Sequence, residues 1–235
     1  PVPIIIVTSK LSTQSDDSSF QSMEAGALCI VEKPPGIKNP LFKQKAENLV
    51  KLVKMMSEVK VVKRRAVLKP ISLSANNMEK YPVKNKIELV ALGVSTGGPP
   101  VIYTILSLLP QDFNAPILIV QHIAKGFIRG MADWLGAKIK LPVHIPSHGN
   151  RLLPGHVYLA PDDYHMGVGF NKSIVLSSDK PENRLRPSIS YLFRSVSRVY
   201  GQNAVGVLLT GMGKDGAKEL GLMKKKNAVT IAQDK

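Results

Sequence analysis

Short apolar runs alternate with longer amphipathic stretches along most of this chain. From residue 87 onward the alternation is regular. Apolar runs at 87–92, 115–120, 143–145, 155–160, 173–176, 204–209 and 228–232 read as strands. The longer ones are nearly all apolar, as expected of strands covered on both faces of a parallel sheet. Between them, 101–109, 127–135, 187–200 and 217–225 carry helical spacing; in 187–200 the apolar stripe is Ile189, Leu192, Phe193, Val196 and Val199. Strands alternating with helices predict a regular α/β domain.

The first part of the chain has the same rhythm but is shorter. Residues 3–7 and 28–31 read as strands, and 20–25 as a helix stopped by Gly26. A polar, serine-rich loop fills 11–19. Residues 43–59 form an amphipathic helix with Ala46, Leu49, Val50, Val53 and Met56 on one side. Two strands and two helices do not complete a doubly wound domain. The composition then changes over 58–86, where eight lysines and arginines from Lys60 to Lys86 face only Glu58 and Glu79, with two prolines. That stretch reads as a basic interdomain linker. The expected organisation is therefore a partial domain at 1–57, a linker at 58–86 and a catalytic-size α/β domain at 87–235.

Charge and cysteine use narrow the field. The net charge is +15, from 32 Lys and Arg against 17 Asp and Glu. Nucleic acid is the obvious partner for such a balance. The cations are dispersed, however, and aromatics are 6 %, so no stacking platform for single strands is evident. An acidic protein surface would serve as well. No apolar run approaches the ~20 residues of a membrane span. The single cysteine, Cys29, rules out an internal disulfide and points to a reducing cytoplasm. No Cys/His cluster has zinc-ligand spacing. The expectation is a cytoplasmic protein without metal, cofactor, nucleic acid or membrane insertion.

Chemistry concentrates at the ends of the apolar runs. Gly93-Val94-Ser95-Thr96-Gly97-Gly98 follows the first of them and matches the Gly-x-Ser-x-Gly elbow. His122 follows the run at 115–120, and Asp215 follows the run at 204–209. In a parallel α/β sheet, such strand ends share one edge. Serine needs a base to become a nucleophile, and the base needs an orienting acid. Backbone N–H groups after Ser95 and in the turn 211–216 are candidate oxyanion donors. Spacing alone leaves a rival: His165 as base with Asp162 or Asp163 as acid. It also leaves bland roles, such as Asp215 or Thr96 capping a helix.

Longer motifs carry a resemblance. Gly93-Val94-Ser95-Thr96-Gly97-Gly98-Pro99, Gln121-His122, Gly126-Phe127, residues 154–161, His165-Met166, Arg186-Pro187-Ser188, residues 209–217 and residues 230–234 agree in order and spacing with the chemotaxis protein-glutamate methylesterases, the CheB family. The resemblance spans about 150 residues. It implies a doubly wound parallel sheet carrying a Ser95–His122–Asp215 triad, with Thr96 and Met212 supporting the nucleophile and His165 non-catalytic. It implies hydrolysis of glutamate γ-methyl esters, and deamidation of glutamines, on methyl-accepting chemoreceptors. The chain departs from the family pattern at Ile123-Ala124-Lys125, at Ser190 and at Asn227-Ala228.

Residues 1–57 resemble the second half of a response-regulator receiver domain, through Val7-Thr8-Ser9, Ala25-Gly26-Ala27 and Lys33-Pro34. That resemblance implies phosphoryl-contacting roles for Thr8 and Lys33, and a histidine kinase as partner of the full-length protein. It also implies further chain before Pro1 and after Lys235. Two competing classes stand beside the hydrolase: a catalytically silent receiver-linked scaffold or regulatory binding module, and a charge-driven nucleic-acid binder.

Overall fold

The computed structural model describes residues 2–8, 20–23, 25–57, 86–209 and 213–233. The linker expected at 58–86, Lys86 apart, and Met212 lie outside the described residues.

The chain enters through β1 (Ile5–Thr8) and β2 (Cys29–Glu32), a two-stranded parallel sheet, followed by α1 (Phe42–Ser57). Then come β3 (Leu89–Val94), α2 (Gly98–Ser107), β4 (Ile117–Gln121), α3 (Ile128–Lys138), β5 (Val143–His144) and β6 (Val157–Leu159). A hairpin of β7 (His165–Val168) and β8 (Ile174–Ser177) precedes α4 (Ile189–Val199), β9 (Ala204–Leu208), α5 (Ala217–Lys225) and β10 (Val229–Ala232).

Six of these strands form one parallel sheet in the order β10-β9-β3-β4-β6-β5. The chain winds outward from β3 in one direction through β4, then crosses to the other side at β9. The strand order therefore reverses beside β3, where open α/β sheets place their ligand crevice.

The period of two along each strand divides the core into two layers. Leu92, Val94, Ile117, Ile119, Val157 and Leu159 face one layer, with Ile102 of α2 and Met131, Trp134 and Leu135 of α3. Leu89, Ala91, Leu118, Val120 and Tyr158 face the other, with Leu192, Phe193 and Val196 of α4 and Met166 of β7. Both faces of β3, β4, β6 and β9 are covered, so these strands are nearly all apolar. This is the doubly wound α/β sheet expected for 87–235.

Two features differ from the pattern-based expectation. Residues 165–168 form a buried strand, paired antiparallel with β8 and packed on α4 outside the main sheet. Their sequence, His-Met-Gly-Val, has no polar alternation because no side of it is wetted. Residues 187–200 become helical only at Ile189, because Ser188 keeps an extended backbone.

The first segment packs on the larger unit. Phe20, Met23, Ala27 and Ile30 belong to the same apolar layer as α2 and α3. The Phe20 ring stacks on Trp134 with centroids 5.4 Å apart. Lys33 N donates to Thr8 O (2.7 Å), so the two strand ends lie side by side. Among the described residues, no helix is long and apolar enough to cross a membrane.

Candidate active site

Three neighbouring strand ends carry the site. β3 runs directly into Ser95, β4 ends at Gln121 with His122 next, and β9 leads through 209–214 to Asp215. His122 N donates to Val94 O (2.9 Å), which ties the first two turns together. His122 Nε2 lies 3.1 Å from Asp215 Oδ2. Among the described residues no other group bonds the His122 ring, so Nδ1 is the nitrogen left for a reacting proton. The acid thus meets Nε2, whereas in the serine-protease template it meets Nδ1–H.

Asp215 is almost fully buried, and its surroundings explain how a charge survives there. Oδ2 also accepts from Ile189 N (2.7 Å). Oδ1 accepts from Ser188 Oγ (2.8 Å), Asn183 Nδ2 (2.9 Å) and Ser190 N (3.2 Å). Ile189 and Ser190 open α4, so the carboxylate sits on that helix's positive end. It replaces the cap that Ser188 would otherwise supply, and α4 accordingly has no side-chain cap of its own. Burial pushes the Asp215 carboxyl up, but the donors from His122, Asn183, Ser190 and Ser188 outweigh it and hold the group well below the usual carboxylate range.

Glycines let this helix end approach. A Cβ on Gly93 would meet Ile189 Cγ2 at 2.2 Å, and one on Gly216 would meet the same atom at 2.4 Å. Ile189 wedges between the two backbones and carries the Ser188–Ser190 donors onto Asp215. Ser190 Oγ also accepts from Gly216 N (2.9 Å), locking the acid's own turn.

Ser95 is half-buried. Its carbonyl accepts from Gly98 N (2.9 Å) and Gln121 Nε2 (2.8 Å). Gly97 N donates to Leu28 O in the first segment (3.2 Å). The Thr96 N–H, which directly follows the serine, donates to no group among the described residues. The Ser95 hydroxyl likewise makes no hydrogen bond to His122; catalytic hydrogen bonds of this kind often tighten only in the Michaelis complex.

Beside His122 lies a cavity of about 170 Å³. Ile123, Ile128, Ala160, Leu185 and Pro187 give it apolar walls, and Lys125, Asp162, Asp163 and Arg186 rim it.

A family model for the CheB methylesterase matches residues 90–235. A protein-glutamate methylesterase/protein-glutamine glutaminase from Nitrosospira multiformis is 48% identical over 238 residues, covering 100% of this chain and 67% of that protein. One from Syntrophus aciditrophicus is 48% identical over 238 residues, covering 100% of this chain and 68% of that protein. The chain belongs to the CheB methylesterase family. The crystal structure of the Thermotoga maritima CheB methylesterase catalytic domain superposes with a TM-score of 0.61 at 35% identity, covering 64% of this chain and 82% of that one.

The strand ends that carry Ser95, His122 and Asp215 share one edge of this CheB-family sheet, where His122 and Asp215 are in contact, and Thr96 sits in the serine's turn. The rival pair is not brought together. His165 is fully buried, with Nε2 on Lys180 O (3.1 Å), Nδ1 facing Ser188 N (3.2 Å) and its ring stacked on Tyr191. Asp162 accepts from Gly126 N (2.8 Å), and Asp163 pairs with Lys125. Asp215 does not cap the helix that follows it, whose N-cap is Gly216.

Asn183, Ser188 and Ser190 were not singled out by their sequence as the acid's partners. The Arg186-Pro187-Ser188 motif and the departure from the family pattern at Ser190 pointed near them, but neither names a partner for the acid. Thr8 and Lys33 stand at adjacent strand ends, about one strand spacing apart, with Lys33 exposed. Among the described residues no group of three or more His, Cys, Asp or Glu is placed to hold a metal ion.

Proposed function

We propose that this chain hydrolyses glutamate γ-methyl esters on methyl-accepting chemoreceptors, and deamidates receptor glutamines, during chemotaxis adaptation. The observation that carries the reading is the His122–Asp215 pair at the strand end next to Ser95. The names of the family relatives supply the reaction class. The triad supplies a way to perform it.

Ser95 Oγ attacks the γ-carbonyl carbon while its proton passes to His122 Nδ1. The carbonyl oxygen becomes an oxyanion, which the Thr96 N–H is placed to receive. Asp215 stabilises the imidazolium through Nε2–H. The C–O bond to the methoxy group then breaks, and the proton on Nδ1 leaves with it as methanol. Water, deprotonated by His122, attacks the acyl-enzyme and frees glutamate and Ser95. With glutamine the leaving group is ammonia. The net charge of +15 suits Glu-rich receptor helices. Met212 is assigned to the support of the nucleophile by family resemblance, from outside the described residues. Thr8 and Lys33 are assigned as phosphoryl contacts of a receiver unit that takes its signal from a histidine kinase.

Methanol release from methylated receptor membranes tests the reading, with Ser95→Ala and His122→Gln as controls. Release by the unaltered chain and its loss in both variants is the expected result. Release that survives Ser95→Ala would refute the nucleophile assignment.

A further inference from the structure

Gln121 ends β4 and lies 3 % exposed, one residue before the proposed base. Its Nε2 donates twice, to Ser95 O at 2.8 Å and to His122 O at 2.9 Å. One side-chain amide therefore bridges the backbone of the nucleophile and the backbone of the base. Both of these partners are carbonyls, so the NH₂ must face them and the amide oxygen must face the other way. That oxygen, Oε1, is buried without a hydrogen-bond partner among the described residues. It lies where a Cβ on Gly98 would stand, 2.1 Å from that position. The absence of a side chain at residue 98 makes room for it. A buried, unpaired acceptor is uncommon enough to need an explanation, and here it accompanies two donors aimed at the site.

The direction of the first bond explains what those donors do. Ser95 C=O and Thr96 N–H belong to one planar trans peptide, so they point in opposite directions. Holding the carbonyl on Gln121 and Gly98 N turns the Thr96 N–H away from them. Among the described residues the Thr96 N–H also donates to nothing, while its neighbours Gly97 and Gly98 are both bonded.

We propose that Gln121 is the positioning residue of the oxyanion site: it sets the plane of the Ser95–Thr96 peptide so that the Thr96 N–H is aimed at the developing oxyanion, and it ties that peptide to the His122 turn. In this role Gln121 uses its two N–H donors on backbone carbonyls. It acts on the transition state through Thr96. This inference rests on the esterase reading above.

The test uses the 235-residue chain, a short peptide carrying a glutamate γ-methyl ester, and the matching side-chain boronic acid, which adds to Ser95 as a tetrahedral anion. Gln121→Leu keeps the bulk and removes both donors. Expected is a fall in kcat of roughly 10- to 100-fold, up to the lower end of the effect of deleting an oxyanion donor outright. KM stays within about threefold, and boronate affinity falls by the same factor as kcat. A kcat within threefold of the unaltered chain overturns the proposal, and so does a kcat loss with unchanged boronate affinity.

Gln121→Glu decides the matter if the leucine variant does not fold. A neutral carboxyl can donate one O–H to one of the two carbonyls, whereas an ionised one repels both. Activity relative to the unaltered chain should therefore fall as pH rises. A ratio that is flat with pH overturns the proposal. Two controls keep the readings apart: hydrolysis that survives Ser95→Ala refutes the nucleophile assignment, and an unaltered chain that does not hydrolyse the ester refutes the esterase reading, whatever the Gln121 variants do.

Discussion

Asp215→Asn is the substitution in which the donor arrangement makes the sharpest prediction. An amide keeps the shape of the carboxylate but replaces one accepting oxygen with an NH₂. Two orientations are open. If the NH₂ takes the Oδ2 place, it faces Ile189 N–H at 2.7 Å, a backbone donor that cannot turn, and His122 Nε2 at 3.1 Å. His122 would then have to accept at Nε2 and carry its proton on Nδ1, which disables it as the base. If the NH₂ takes the Oδ1 place, it faces Ser188 Oγ and Asn183 Nδ2. The serine hydroxyl can rotate to accept, and the Asn183 amide can turn its oxygen inward. Only Ser190 N–H, at 3.2 Å the longest bond of the set, is left facing an N–H.

The second orientation wins, since it orphans one weak bond instead of one strong bond and a tautomer. Its stability cost is about 1–3 kcal/mol for the unpaired buried donor. Its rate cost is the lost carboxylate charge. A carboxylate beside a cation is worth ~1–3 pK units, so kcat should fall about 10- to 1,000-fold. The wrong tautomer would cost nearer 10⁴-fold, as in the serine-protease template. Steady-state hydrolysis of a γ-methyl ester peptide measures the rate, and ¹⁵N NMR of the His122 ring reads the tautomer directly. A ring protonated on Nδ1 in Asp215→Asn, or a loss of 10⁴-fold or more, would refute the reasoning.

Other consequences are as direct. The Asp215 carboxyl titrates below its unfolded value of 3.8 in the folded chain; it contributes stability that is present above about pH 4 and lost as pH falls through the folded value. Urea midpoints of the unaltered chain should therefore drop more steeply with acid below pH 4 than those of Asp215→Asn. Gly93→Ala sets a methyl against Ile189 and should cost about 1–3 kcal/mol as overpacking. Combining it with Ile189→Ala should recover much of that, and additive losses in the double-mutant cycle would contradict the wedge. Phe20→Ala should cost ~3 kcal/mol and shift the emission of Trp134, the only tryptophan, to the red; unchanged emission would show that the first segment does not dock there. Burial, and then the His156 ring bonded to it at 2.8 Å, lower the His144 pKa from 6.5. Its contribution is thus present above about pH 6.5 and lost as pH falls below it, and His144→Phe should flatten the urea midpoint between pH 7.5 and 5.5.

Much of the fold was legible along the chain because period and burial are local properties. The apolar runs of β3, β4 and β9 marked doubly covered strands, and a parallel sheet obliges their ends to share an edge. That was enough to nominate Ser95, His122 and Asp215 by residue type. It was not enough to choose between His122 and His165. Both follow apolar runs, and His165 turned out to lie inside a strand whose four residues are all buried and carry no alternation.

The tertiary structure alone decided how the acid is held and which ring nitrogen of His122 it meets. Asn183, Ser188 and Ser190 come to Asp215 from another part of the chain because Ile189 fits between Gly93 and Gly216. Nothing in the spacing of those residues encodes that distance. The double bond of Gln121 to the Ser95 and His122 carbonyls is of the same kind. A glutamine at the end of an apolar strand reads as a place where burial stops, yet it is buried because Gly98, 23 positions earlier, leaves it room. Sequence patterns report which side of an element meets water. They do not report which side chains from distant elements meet each other, and a catalytic site is made of such meetings.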